Sequence, residues 1–128
     1  MRSYAGIDIQ TKIYEALKDS VGAPVYDEVQ DNSKYPYVVI GEDTSVDNST
    51  KTEHLDNFNI VIKAFSNKKG MKEVKTIIKN IIETMDVADF TMDDFIVIKS
   101  EIESTEFYKD PEGIRNGYVR LSFLIQQI

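Results

Sequence analysis

YPYVVIGEDTSVDNSTKTEHLDNFNIVIKAFS, residues 35–66, is the stretch on which the reading of the fold turns. An apolar strand, Tyr37 to Gly41, runs into a polar loop, Glu42 to His54, and a second strand leads back out from about Asp56 to Phe65. The second strand alternates. Phe58, Ile60, Ile62 and Ala64 point one way, while Asn57, Asn59, Val61 and Lys63 mostly point the other. The pattern predicts a long hairpin with one buried face. Its tip carries almost no apolar side chain, and loops of that length tend to be functional or disordered.

Working outward, the chain upstream predicts a helix over about Ile7 to Lys18. Ile9, Ile13, Ala16 and Leu17 share one face, which Ile7 or Tyr14 would widen. Ser20-Val21-Gly22 with Pro24 ends it. Val25, Tyr26 and Val29 suggest a short edge strand, Asp31-Asn32-Ser33 a turn, and Pro36 the start of the next strand. Downstream, Met71, Val74, Ile77, Ile78, Ile81, Ile82 and Met85 repeat at helical spacing, the strongest periodic signal in the chain. Gly70 is the expected N-cap, with Glu73 at the N3 position. After a connector over Asp86 to Asp94, FIVIKSEI from Phe95 is apolar on both faces and predicts a central strand. Its continuation, Glu101 to Phe107, turns polar and should project beyond the core. Asp110-Pro111-Glu112-Gly113 fits a type I turn. It leads into a strand from about Ile114 to Ile125, with Val119, Leu121, Phe123 and Ile125 inward and Tyr118, Arg120 and Ser122 outward.

Two hairpins separated by a helix make an α+β domain. The expectation is one domain over residues 1–128: a mainly antiparallel sheet of four to five strands, both helices on one face, and a long inter-strand loop. The chain has no cysteine, so a disulfide framework and thiolate chemistry are excluded. The N-terminal MRSYAGIDIQTKIYEAL lacks a continuous apolar segment and does not read as a signal peptide. No apolar run approaches the roughly 18–20 residues needed to cross a bilayer.

A net charge of −7 argues against general nucleic-acid binding. The charges are segregated. Lys63, Lys68, Lys69, Lys72, Lys75 and Lys79 lie together. Glu83, Asp86, Asp89, Asp93, Asp94, Glu101, Glu103, Glu106, Asp110 and Glu112 follow. These segments either meet between copies head to tail or are two solvated faces. Tyr35, Tyr37, Tyr108 and Tyr118 could build an aromatic binding surface. Tyr37 shares a side with Val39, where core packing is expected of it, and Tyr118 points outward as a candidate intersubunit contact. Half-apolar residues on the outward face (Val61, Tyr118, Leu124) fit a protein–protein interface.

Catalytic chemistry finds little footing. His54 is the single histidine, at the end of the polar loop, and without cysteine it cannot build a transition-metal site alone. No serine lies in a nucleophile elbow, and no glycine pattern would cradle phosphate. Asp93-Asp94 and Asp86/Asp89 read as loop residues or caps rather than metal ligands, and EF-hand spacing is absent. No catalytic, cofactor or metal residue is therefore assigned.

Three segments carry a resemblance: YPYVVIGE; LDNFNIVIKAFSNKKGMKEVKTIIKNIIETM; and FYKDPEGIRNGYVRLSF. They resemble the small tail-completion proteins of long-tailed bacteriophages and prophages, a family that includes tail terminators and tail-to-head joining proteins. The resemblance covers nearly the whole chain. Phe65 stands where many members have tryptophan. It implies a structural protein without enzymatic activity or cofactor. Such a protein forms a hexameric ring that caps the tail tube, joins the major tail tube protein to a head-completion or connector (stopper) protein, and sits in the virion after assembly in the host cytoplasm. It also implies that the loop over Glu42 to Glu53, with Asp43, Asp47, Asn48, Lys51 and Glu53 exposed, is mobile in a free, monomeric or weakly associated subunit and orders on assembly. There it would line a passage through which DNA slides without specific binding. Lys68, Lys69, Lys72 and Tyr118 are the intersubunit candidates. The alternatives are a small cytoplasmic ligand-binding or regulatory module, which needs a buried polar pocket, and a small hydrolase, which needs a nucleophile–base pair.

Overall fold

The computed structural model describes residues 4–29 and 33–128. The order is α1 (Gly6–Leu17), β1 (Val25–Tyr26), β2 (Tyr37–Asp47), β3 (Leu55–Ser66), α2 (Lys72–Val87), β4 (Phe95–Lys109) and β5 (Arg115–Gln127). The strands form one five-stranded sheet in the order β1-β2-β3-β5-β4. Among the described residues only the β1–β2 pair is parallel. The chain is the α+β domain expected, with both helices on one face.

The periodic residues explain why. Ile9, Ile13 and Leu17 of α1 and Val74, Ile77, Ile78, Ile81 and Met85 of α2 are buried. They close over Val38, Ile40, Phe58, Ile60, Ile62, Ala64, Val119, Leu121, Phe123 and Ile125 from the three middle strands. Isoleucine-rich α2 has modest intrinsic helicity, so this burial holds it helical. At Gly117 the helix lies so close that an added Cβ would meet Ile78 Cγ1 at 2.9 Å and Val74 Cγ2 at 3.0 Å. Only glycine allows that approach. The second hairpin turns where expected. Asp110 accepts hydrogen bonds from the Glu112 and Ile114 amides, both 2.9 Å, and Gly113 takes φ +89.

Several expectations are corrected. The polar run after Gly41 is not all loop. Asp43 to Asp47 pair with Ile60 to Asp56 beyond a bulge between Ile40 and Asp43. Ladder hydrogen bonds are made by backbone, so the strand continues past the point where its side chains stop being apolar. The connection proper is residues 48–54. FIVIKSEI is an edge, not a central strand: β5 takes the place beside β3, and β4 pairs along its length only with β5. Ile96, Ile98 and Ile102 are consequently 50%, 49% and 41% exposed. Its polar continuation is exposed as expected, yet stays in the ladder to Lys109. Ile7 and Tyr14 do not widen the buried face of α1; both are exposed. β1 stops before Val29. Met71, not Gly70, is the N-cap of α2, and Gly70 precedes it at φ +83. The Glu73 carboxylate accepts the buried Ser66 hydroxyl at 2.5 Å instead of joining a cap. The turn expected at Asp31-Asn32 lies outside the described residues.

Candidate assembly interface

The sheet has one covered face and one bare face, and three features stand on what the helices leave open. The first is the tip of the β2–β3 hairpin. Asp43 sits within β2, half-buried, and accepts a hydrogen bond from the Tyr4 hydroxyl at 3.4 Å. Burial foremost, then the nearby Asp43 charge, raises the Tyr4 pKa. Asp47 ends the strand and accepts the Ser49 amide at 2.8 Å. The Asn48 amide donates to the Leu55 carbonyl at 2.8 Å. The Glu53 amide donates to Thr50 Oγ1 at 3.1 Å, and its carbonyl receives the Thr50 amide at 3.0 Å. Lys51 is exposed at the apex. The structure thus brings Asp47, Asn48, Lys51 and Glu53 together in one short tip and sets Asp43 apart on the ladder. His54 is exposed beside it, and its carbonyl accepts the Gln127 amide at 3.0 Å.

The second feature is the bare face. Tyr37 is buried, but not in the core: alternation past core-facing Val38 turns it to the opposite side. There its ring lies 5.1 Å from Tyr35 and from Phe65 and 6.2 Å from Tyr26. This burial, with Tyr35 alongside, raises the Tyr37 pKa. Further along, Tyr118 meets Tyr108 edge-on at 5.6 Å, their hydroxyls hydrogen-bonded, and Lys63 Nζ lies 5.5 Å from the Tyr118 ring. Lys63 also pairs with Glu42 at 3.1 Å. The hydrogen bond with Tyr108, helped by burial, pushes the Tyr118 pKa up to about 12. Arg120 stays exposed next to this group.

The third feature is charge placement. Lys68 and Lys69 lie in the exposed connection before α2, and Lys72 opens the helix. None of the three is ion-paired among the described residues. Tyr118 is on the opposite face of the sheet, so the four intersubunit candidates do not form one patch. The acids divide too. Asp110 is committed to its turn, and Asp89 accepts the Thr91 amide and hydroxyl, which hold its carboxyl below the ordinary range. Asp93 and Asp94 end beside the hairpin tip, because Phe95 and Leu55 pair with neighbouring residues at the end of β5. One end of the sheet therefore gathers Asp47, Glu53, Asp93 and Asp94, and the other gathers Lys68, Lys69 and Lys72.

No group of three His, Cys, Asp or Glu residues among those described could hold a metal ion. No helix is long and apolar enough to cross a membrane. A concavity of about 480 Å³ between α1 and β1 is an open groove rather than an enclosed polar pocket.

Residues 11–126 match the family model described as tail completion protein gp17. The chain belongs to the tail completion protein gp17 family. Its role is accordingly that of a structural and assembly protein of phage tails. A chain in the solved structure of the virion of a native gene transfer agent (GTA) particle superposes with a TM-score of 0.85. The two are 20% identical, and the match covers 97% of this chain and 99% of that one. At that identity the likeness speaks for the fold. No curated protein matches the sequence.

Sequence reasoning names the tip and the lysines of this tail completion protein as candidates. It names Tyr35 and Tyr37 as possible parts of an aromatic surface but assigns Tyr37 to the core, and it does not find the close contact at Gly117. A glycine inside a strand pattern is the available signal for that contact. Tyr35 and Tyr37 are two residues apart, and Phe65 joins them only through the β2–β3 register.

Proposed function

We propose that the protein assembles as a hexameric ring that caps the phage tail tube and joins it to the head connector, without a catalytic step. Its neighbours in that reading are copies of itself, the major tail tube protein and a head-completion protein. It works at the head–tail junction of the virion after assembly in the host cytoplasm. The observation that supports this best is the hairpin. A β2–β3 ladder continuous with the core holds out a polar tip bearing Asp47, Asn48, Lys51 and Glu53. That is a device for contact, not for chemistry. Acidic side chains facing a DNA passage would repel phosphate and let the genome slide.

Electron microscopy of particles made without this protein tests the role. Overlong tubes, or separate heads and tails, are expected, and normal virions would refute it. The lumen assignment is tested apart from that. Asp43→Lys with Asp47→Lys should slow DNA ejection or lower the yield of joined particles; unchanged ejection and yield would remove these acids from the channel.

A further inference from the structure

The groove between α1 and β1 and the lysine stripe of α2 lie toward opposite edges of the molecule. β1 pairs only through Val25 and Tyr26, so the edge of β2 past Val39 has no strand beside it. Ile7 and Tyr14, 72% and 42% exposed, line the groove over that edge, with Asp27 and Glu28 on its other wall and no lysine or arginine in the lining among the described residues. An exposed apolar trough with an acidic wall is a docking surface for something basic and partly apolar.

The α2 side of the other edge offers that, while β4 itself carries exposed Glu101, Glu103 and Glu106. Lys72, Lys75 and Lys79 recur at i, i+3 and i+7, one stripe of α2. Lys75 Nζ lies 5.4 Å from the ring of Phe107 on the outermost strand, so the stripe leans over the β4 edge. Apolar Ile102 is exposed on the same strand. Lys79 meets Glu83 at 3.7 Å, while Lys72 and Lys75 have no ion pair among the described residues. Their placement opposes the helix dipole, because two lysines crowd the first turns while the last turn holds no basic residue. Glu73 in the first turn and the Phe107 ring under Lys75 offset part of that, but no carboxylate pairs with Lys72 or Lys75 among the described residues. A neighbour's carboxylates would do so.

We infer that the acid-walled α1–β1 groove of one copy receives the lysine stripe and β4 edge of the next. The contact is heterologous, between surfaces roughly 19 Å apart across four strand spacings, and such contacts generate rings when the rotation closes. This inference rests on the ring reading above and specifies its lateral interface. It also separates that interface from the hairpin tip, which is left for the axial partners.

Charge exchange on assembled tails tests it. Lys72→Glu with Lys75→Glu, and separately Asp27→Lys with Glu28→Lys, should each lower the yield of joined particles by roughly tenfold or more. Combining all four substitutions should restore most of the yield. Because the chain has no cysteine, Thr11→Cys and Lys79→Cys introduced together can be bridged by a short bis-maleimide. A covalent ladder ending at the ring size is expected, and neither single variant should form one. Rings that persist on the tails with no ladder and with both reversals tolerated overturn the interface but leave the ring standing. Capture of a different virion protein at Thr11→Cys overturns it as well. Wild-type tails without any ring remove both readings. Unchanged melting of each purified variant shows that the losses are not unfolding.

Discussion

The two faces of one sheet have been put to different uses. On the helix side, Phe58, Ile60, Ile62, Val119, Leu121, Phe123 and Ile125 are all at most 3% exposed. Strict alternation put every one of them inward. On the bare side, residues of the same strands are a mixture: aromatic Tyr37 and Phe65, charged Lys63 and Arg120, half-buried Tyr118 and Leu124. The covered face is where stability resides. The bare face mixes apolar surface with charge, the composition of protein–protein contact surfaces. A protein made to join others needs both, and a sheet with helices on only one side supplies them without a second domain.

That contrast can be broken, and the largest effect is expected on the covered side. Phe123→Ala removes a ring that packs in the core and against Phe90 at 5.2 Å. It should cost about 3–5 kcal/mol in denaturant unfolding. A loss under about 1 kcal/mol would mean the helices do not seal this face. Gly117→Val tests the same seal from the opposite direction. Its side chain would press on Ile78 and Val74, with an expected cost of about 1–3 kcal/mol. Tolerance of valine there would mean that α2 sits farther from β5.

On the bare side smaller effects are expected. Tyr118→Phe removes the hydroxyl pair with Tyr108 and should change stability at neutral pH by no more than about 1 kcal/mol. Its signature lies in alkali. Unfolded tyrosine loses its proton near pH 10, whereas folded Tyr118 holds it to about 12. The folded state then binds more protons, so this contribution is fully present below pH 10 and is lost as pH rises toward 12. The Phe variant should lack that part of the decline, and identical alkaline profiles would contradict the Tyr108–Tyr118 bond. Smallest of all, Arg120→Ala should shift stability by about 0.5 kcal/mol or less. A larger change would move Arg120 from the contact surface into the framework.

Hydrogen exchange sharpens the same division within the hairpin. Amides of residues 43–47 that face β3 should exchange slowly in the free subunit, while several in 48–54 exchange fast and slow down in assembled tails. Fast exchange throughout 43–54 would restore the longer loop expected from side-chain polarity alone.

Residues with a strong local period were legible in advance. The inward set of β3, the buried stripe of α2 and the Asp110–Gly113 turn were each read from neighbours a few residues apart, and so was the polar hairpin tip. What escaped was non-local. FIVIKSEI is apolar on both sides, as a central strand would be, yet lies at the edge because β5 pairs with β3. Tyr37 is buried as expected, but among aromatic rings on the other face. The candidate lysines and Tyr118 looked like one group and are divided by the thickness of the sheet.

The amino-acid order by itself determined which segments are helix and strand and which side of most of them is apolar, because those properties repeat within a turn or a pleat. Tertiary structure alone decided strand order, the extension of β2 through polar residues and the gathering of Asp47, Glu53, Asp93 and Asp94 at one end of the sheet and Lys68, Lys69 and Lys72 at the other. Those outcomes depend on backbone pairing between distant segments, and backbone hydrogen bonds do not record which side chains they carry.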